Sequence, residues 1–209
     1  MARVDIMVDI ETLGTDNNAV ITQVAAVCFD ITTGVVSEKF NTCLDIETYP
    51  EFHVDAGTLK WWLKTNPQLL ADIILRGEDQ AHKTLREFRD FILAAVKVGG
   101  REVYLWGNGS VFDNTILTTN FKLMKITWPL RYDADRDMRT ILDMALMKTG
   151  LSKGDVIKMF EDAPDVARHD AMNDVLFQIR VTCWAYDQLI NVVKVPIKDT
   201  YEEEVNEKT

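Results

Sequence analysis

Val4-Asp5-Ile6-Met7-Val8-Asp9-Ile10-Glu11-Thr12 opens on a run of apolar side chains and closes on a pair of acids. Val4 to Ile10 is short and rich in β-branched and apolar residues, so it reads as a buried strand. Side chains two apart on a strand share a face. Asp9 and Glu11 therefore present two carboxylates side by side at the C-terminal end of that strand. Like charges in such a place repel each other and resist burial unless something positive lies between them. A divalent metal meets that requirement, and hard oxygen ligands suit magnesium or manganese. A strand fraying into an acidic loop would carry the same letters, so the pair alone decides nothing about function.

Moving outward, Val20 to Ile31 is again mostly β-branched and apolar. Thr32-Thr33-Gly34 makes a turn, and Val35 to Leu44 resumes strand character. The three segments predict an antiparallel meander. The period then changes. Asp55-Ala56-Gly57-Thr58 opens a helix holding Leu59, Trp61, Trp62 and Leu63, and Asn66-Pro67 starts a second with proline at its first position. Asp79 to Val98 places Leu85, Phe88, Ile92 and Val96 at helical spacing, which predicts a long amphipathic helix. Glu102 to Trp106 is a short strand that ends in the turn Gly107-Asn108-Gly109. Helices are predicted over Ser110 to Met124, Asp137 to Lys148 with Gly150 past its end, and Arg168 to Val192. A meander, then helices, another strand and more helices is a mixed α/β plan.

The 209 residues suffice for one well-buried core and are short for two. No domain boundary appears before about Pro196. The expected division is one domain over residues 4–195 and an acidic, solvated tail over 196–209. No run approaches the roughly 18 apolar residues that cross a membrane, and the N-terminus meets Asp5 before any long apolar stretch, which argues against a secretory signal. The three cysteines are odd in number, far apart and form no CxxC pair. They support neither a disulfide framework nor a zinc knuckle, and the expected compartment is a reducing cytoplasm. A formal net charge of −10 counts against a protein that coats duplex backbone. It counts less against a nuclease, whose bound cations neutralise carboxylates and phosphates together.

Two further motifs bear on chemistry. Trp106-Gly107-Asn108-Gly109-Ser110-Val111-Phe112-Asp113 places Asp113 in a first helical turn, where Ser110-x-x-Asp113 also fits a mere capping pattern. Arg168-His169-Asp170-Ala171-Met172-Asn173-Asp174 sets His169 and Asp174 five apart, about 140° around a regular helix, so the two would not share a face. The geometry works better with His169 in the loop before the helix and Asp174 one turn inside. An unperturbed histidine titrates near 6.5, which suits a base that takes a proton from water at neutral pH.

Taken together, an acid pair on the first strand, an acid after a later strand and His-x4-Asp near the last helix resemble the DEDDh branch of the DnaQ-like 3′→5′ exonucleases. The resemblance covers nearly all of residues 4 to 190. Within that superfamily the chain looks most like the bacteriophage exonuclease A (DexA) type and its exoribonuclease relatives, through Asp9-Ile10-Glu11-Thr12-Leu13-Gly14, Thr58-Leu59-Lys60-Trp61-Trp62-Leu63, Trp106-Gly107-Asn108-Gly109 and Arg136-Asp137-Met138-Arg139-Thr140.

The resemblance implies a ribonuclease-H-like α/β fold with a mixed central sheet flanked by helices. It implies two Mg2+ or Mn2+ ions, with Asp9 bridging both, Glu11 and Asp174 completing the first and Asp113 supporting the second. His169 is the expected general base. The expected activity is removal of nucleoside 5′-monophosphates from single-stranded 3′ ends, DNA favoured over RNA; a catalytically idle, nucleic-acid-binding adaptor is the alternative of another class. Thr12, Leu13, Trp61, Trp62 and Asn108 are the expected substrate contacts, with one tryptophan in the core and the other nearer the cleft. Arg139 is the better phosphate candidate of the Arg136-Asp137-Met138-Arg139 stretch. His53 is expected to be structural, and His82 carries no expectation. The apolar surface of the tryptophan-bearing helices leaves a homodimer open.

Overall fold

The computed structural model describes residues 3–51, 53–160 and 169–190. Val4–Thr12 (β1), Ile21–Phe29 (β2) and Val36–Asp45 (β3) form the antiparallel meander. Ala56–Thr65 (α1) and Pro67–Arg76 (α2) follow, then Asp79–Gln80 (β4) and Ala81–Gly99 (α3). Val103–Gly107 (β5) lies parallel to β1 on its other side, and after Asp113–Leu123 (α4) comes Asp135–Asp137 (β6), parallel to β5. Met138–Thr149 (α5), Lys153–Phe160 (α6) and Ala171–Ile190 (α7) complete the described chain. The sheet order is β4-β3-β2-β1-β5-β6, with antiparallel and parallel pairs mixed.

The alternation along β1 divides the core. Ile6, Val8 and Ile10 point to one side and pack with Leu85, Phe88 and Ile92 of α3 and Ile116, Leu117 and Phe121 of α4. Met7 points to the other side and meets Val27, Trp106 and Ala171, Val175 and Ile179 of α7. Both faces of β1 are covered, which is why its sequence reads as a nearly unbroken apolar run. Asp5 lies buried on the α7 side; its carboxylate accepts from Arg3 Nε and Nη2 at 2.7 and 2.8 Å and from Trp106 Nε1 at 2.7 Å. A further cluster, Leu13, Val20, Trp62, Leu70 and Ile73, anchors α1 and α2 beyond the end of β1.

Several boundaries move for physical reasons. The helix expected from Asp79 starts at Ala81, because Asp79–Gln80 pair with Leu44 and Asp45 as a short parallel strand. The helix expected from Ser110 starts at Asp113, because the Ser110 amide donates to Asp137 Oδ2 at 2.8 Å instead of entering a helix. The last helix starts at Ala171 and not at Arg168: Asp170 accepts from the amides of Met172 and Asn173 at 3.2 and 3.3 Å as its N-cap, which leaves His169 ahead of the helix and Asp174 in its first turn. Arg168 and the acidic tail from 196 onward lie outside the described residues. No helix among the described residues is long and apolar enough to cross a membrane.

Candidate active site

The C-terminal end of β1 leaves regular pairing between Glu11 and Thr12, where the register with β2 shifts. Such an irregularity re-aims side chains at a strand end. Just before it, Glu11 stands opposite Gln23 of β2. Gln23 is fully buried, beside Thr22, within a mostly apolar strand, and its amide is hydrogen-bonded. Its Nε2 donates to Asn41 Oδ1 at 3.0 Å and to Asp170 Oδ2 at 3.4 Å, and its Oε1 accepts from the Ala171 amide at 3.3 Å. Gln23 thus docks the first turn of α7 against the end of β1, and Asp174 in that turn comes alongside the strand acids.

One carboxylate oxygen from each of Asp9, Glu11 and Asp174 lies within 4.8 Å of the other two. Asp113 stands in the first turn of α4, buried, behind the glycine turn. It lies outside the three-acid cluster yet close enough that its charge acts on Asp9. Gly107, the last residue of β5, has no room to spare: a Cβ there would lie 3.2 Å from Asp113 Oδ2 and 3.0 Å from Asn114 Oδ1. The turn is held by Asp137, which accepts from Ser110 and also caps α5 through the Thr140 amide at 3.1 Å.

The electrostatics are those of an anionic cage. Burial, followed by the charges of Asp113 and Asp174, pushes Asp9 well above the ordinary carboxylate range, while the amide of Gln178 works the other way. Burial first, then Asp9 and Asp174, pushes Glu11 up to about 10. Asp113 is pushed up to about 7 by burial, against backbone hydrogen bonds at Asp113 and Ile10 and the charge of Arg139. A cluster of buried and half-buried oxygen donors that repel one another, with no softer ligand among them, fits a hard divalent cation.

His169 directly precedes the Asp170 cap, in left-handed backbone at φ 69°. Its ring lies edge-on to Trp61, centroids 4.9 Å apart at 85°, and to Trp62, 6.3 Å apart at 78°. Trp62 is 1% exposed and donates Nε1 to the Thr12 carbonyl at 3.0 Å, whereas Trp61 is 42% exposed. Thr12 and Leu13 are buried; the Thr12 hydroxyl donates to the Gly14 carbonyl at 2.7 Å, and Leu13 belongs to the cluster around Trp62. Their side chains are engaged within the fold. Asn108 sits half-buried in the turn after β5. His53 pairs with Asp16 at 2.9 Å, and His82 is exposed on α3. Arg136 lies over the Tyr104 ring at 4.1 Å and donates to the carbonyls of Asp133 and Asp135, a structural placement. Arg139 is exposed, its guanidinium against Gly109.

Four site residues have no place in the sequence reading. Gln178 donates Nε2 to Asp9 Oδ1 at 2.7 Å. Asp170 caps α7, with Arg76 Nη2 3.9 Å from its Oδ2. Gln23 links Asp170 and the Ala171 amide to the sheet. Gln178 was findable as the i+4 neighbour of Asp174 on one helical face, and Gln23 as the amide in a mostly apolar strand; Arg76 gives no signal beyond its charge.

Against known proteins, residues 4–184 match the family described as the 3′→5′ exoribonuclease Rv2179c-like domain. No curated protein matches the sequence. Among solved structures, the chain is similar to cell-death related nuclease 4 (CRN-4) with TM-score 0.64 and 17% identity, over 88% of this chain and 64% of that one. It is similar to the nuclease domain of 3′hExo, a DEDDh family member bound to rAMP, with TM-score 0.61 and 12% identity, over 92% of this chain and 96% of that one. E. coli Exonuclease I in complex with a dA13 oligonucleotide gives TM-score 0.60 and 18% identity, over 91% of this chain and 42% of the other. The chain therefore spans less than two thirds of CRN-4 and under half of Exonuclease I. These likenesses place the fold among the ribonuclease-H-like exonucleases.

Proposed function

The chain belongs to the Rv2179c-like 3′→5′ exoribonuclease domain family, and from that premise we propose that residues 4–195 are a divalent-metal-dependent exonuclease that shortens single-stranded nucleic acid from its 3′ end. The observation that carries this reading is the convergence of Asp9, Glu11 and Asp174 within 4.8 Å, from elements more than 160 residues apart in sequence. A binding module has no need for such a cluster of mutually repelling acids.

Asp9, Glu11 and Asp174 would hold the metal, with Asp113 supporting a second ion, Mg2+ or Mn2+ in each place. Bound there, the ions offset the acids' charge, acidify the attacking water and stabilise the charge that develops on the phosphodiester oxygens. The protein's own part is positional. β1 and α7 fix the acids before substrate arrives, so no reorganisation is needed at the moment of reaction. His169 accepts the proton of the attacking water, and the product leaves as a nucleoside 5′-monophosphate. Trp61, exposed beside His169, offers a face on which a terminal base stacks, a contact typically contributing about 1–3 kcal/mol. Arg139, near Asp113, offers a planar fork to a phosphate.

RNA is the substrate we put first, because the family is one of exoribonucleases. DNA, which the resemblance to exonuclease A favours, is the competing reading. Matched RNA and DNA oligonucleotides labelled at the 5′ end, incubated with Mn2+ or Mg2+, test both. The expected result is a ladder of shortening labelled strands, faster on RNA. Immediate release of a labelled mononucleotide would mean the opposite polarity, and intact oligonucleotides of both kinds would overturn the exonuclease reading.

A further inference from the structure

The rings around His169 form a chain of fixed contacts that begins at the strand carrying the acids. The Trp62 indole is buried and tied by Nε1 to the Thr12 carbonyl, one residue beyond Glu11. α1 is fastened a second time next door, where the Asp55 amide donates to the Leu13 carbonyl at 2.8 Å and the Asp55 side chain caps the helix at Thr58. Trp61 is set edge-on to Trp62 at 5.2 Å and 71°. His169 is set edge-on to Trp61 at 4.9 Å. Its backbone, at φ 69°, is in a conformation a non-glycine residue holds only where its surroundings determine it. On the following side Asp170 is fixed as the cap of α7, so among the described residues the imidazole is held between the helix start and the tryptophan pair, with Trp61 the nearer ring at 4.9 Å and Trp62 at 6.3 Å.

We propose that Trp61 is a positioning residue for His169: its indole sets where the imidazole stands relative to the carboxylates. This rests on the exonuclease reading above and deepens it. A base stacked on the exposed part of Trp61 would press on the same ring that aligns His169, so seating the 3′ nucleotide and placing the base are one event. A tryptophan that only stacked on substrate would need no contact with His169.

The test has two readouts. The first is a double-mutant cycle on turnover, with Trp61→Ala, His169→Ala and the double variant. If Trp61 acts through His169, the first substitution lowers kcat roughly ten- to hundredfold, because small misplacements of a reacting group cost that much. It then costs nothing further in the His169→Ala background, within about twofold. Trp61→Phe, which keeps an aromatic ring at the position, restores most of the loss. Losses that multiply in the double variant would overturn the proposal. The second readout needs no activity. The chain has three histidines, so three imidazole Cε1–H resonances. The one lost in His169→Ala should carry a ring-current shift that Trp61→Ala removes and Trp61→Phe largely keeps; a resonance unmoved by Trp61→Ala would equally overturn it. A wild-type chain without exonuclease activity would sink the preceding reading, while the resonance still reports on the Trp61–His169 contact.

Discussion

Gln178 donates its side-chain amide to Oδ1 of Asp9 at 2.7 Å, one helical turn beyond Asp174 on α7. Gln178 is 3% exposed, and its side-chain oxygen has no hydrogen-bond partner among the described residues. It therefore holds one carboxylate oxygen of Asp9, a member of the three-acid cluster, in place. Outer partners of this kind typically matter about 10–100-fold in metal affinity or activity. Gln178→Leu, close in volume and unable to donate, should raise the Mg2+ or Mn2+ concentration for half-maximal activity by about tenfold while leaving kcat at saturating metal nearly unchanged. A metal titration of exonuclease activity reads this directly, and an unchanged midpoint would remove Gln178 from the site.

The buried acids make a prediction about stability. Glu11 is pushed up to about 10 from an ordinary 4.5, and Asp113 to about 7 from 3.8, burial being the first cause for both. In the unfolded chain both ionise near their ordinary values. Above those values the folded state holds protons that the unfolded state has lost, so folding stability falls as pH rises. The fall continues through about 7 for Asp113 and on toward about 10 for Glu11. Each such proton contributes a slope of at most about 1.4 kcal/mol per pH unit. In EDTA, the melting temperature should decline from about pH 5 to about pH 9, and Glu11→Gln should flatten the decline. Added Mn2+ should raise the melting temperature most at the alkaline end, where it replaces the missing protons. A metal-free melting curve series identical for wild type and Glu11→Gln would contradict this.

How much of this was legible beforehand follows from the range over which each signal acts. The apolar runs of β1 and β2 were readable because both faces of those strands are buried, and the 3.6 period of α3 and α7 because one face of each helix meets a core. β4 and β6 were not, being two and three residues long, too short for any period to register. The acids of β1 were readable as a pair because alternation places them on one face whatever surrounds them. Asp170 was hidden by an assumption about where α7 begins: counted inside the helix it is an ordinary polar residue, and only as its cap does it acquire a task. Gln23 is the clearest loss. Its polarity inside a mostly apolar strand was visible, but its meaning depends on α7 arriving from almost 150 positions later, and local pattern does not carry that.

Single substitutions in the cage should separate metal binding from proton transfer. Asp9→Ala and Asp174→Ala each remove an oxygen donor from the 4.8 Å cluster, and each should leave no measurable exonuclease turnover. His169→Ala removes no member of that cluster. It should lower turnover by about 10²–10⁴-fold, the usual contribution of a positioned base, while Mn2+ binding measured calorimetrically stays near the wild-type value. Wild-type turnover in His169→Ala would refute the general-base role, and loss of Mn2+ binding would make His169 a ligand instead.

Gly109 tests whether the glycine turn that presents Asp113 is strained for the site's benefit. Its φ of 117° is open to glycine and rarely to other residues. Its carbonyl accepts the Phe112 amide at 2.7 Å, one residue before Asp113. A Cβ at this position would also lie 2.5 Å from Arg139 Nη2. The two penalties differ in kind: the Arg139 guanidinium ends a flexible side chain and can swing away, whereas the backbone has no alternative without moving Asp113. Gly109→Ala should therefore destabilise by about 1–3 kcal/mol and reduce activity together with it. Gly154→Ala in α6, where φ is ordinary and the nearest atom is Ser152 Oγ at 3.7 Å, should be neutral or slightly stabilising. The decisive comparison is Gly109→Ala with Arg139→Ala added. If backbone strain governs, clearing the guanidinium recovers little of the melting temperature. If the double variant melts like Arg139→Ala alone, the penalty was the contact, and the turn has no special need of glycine.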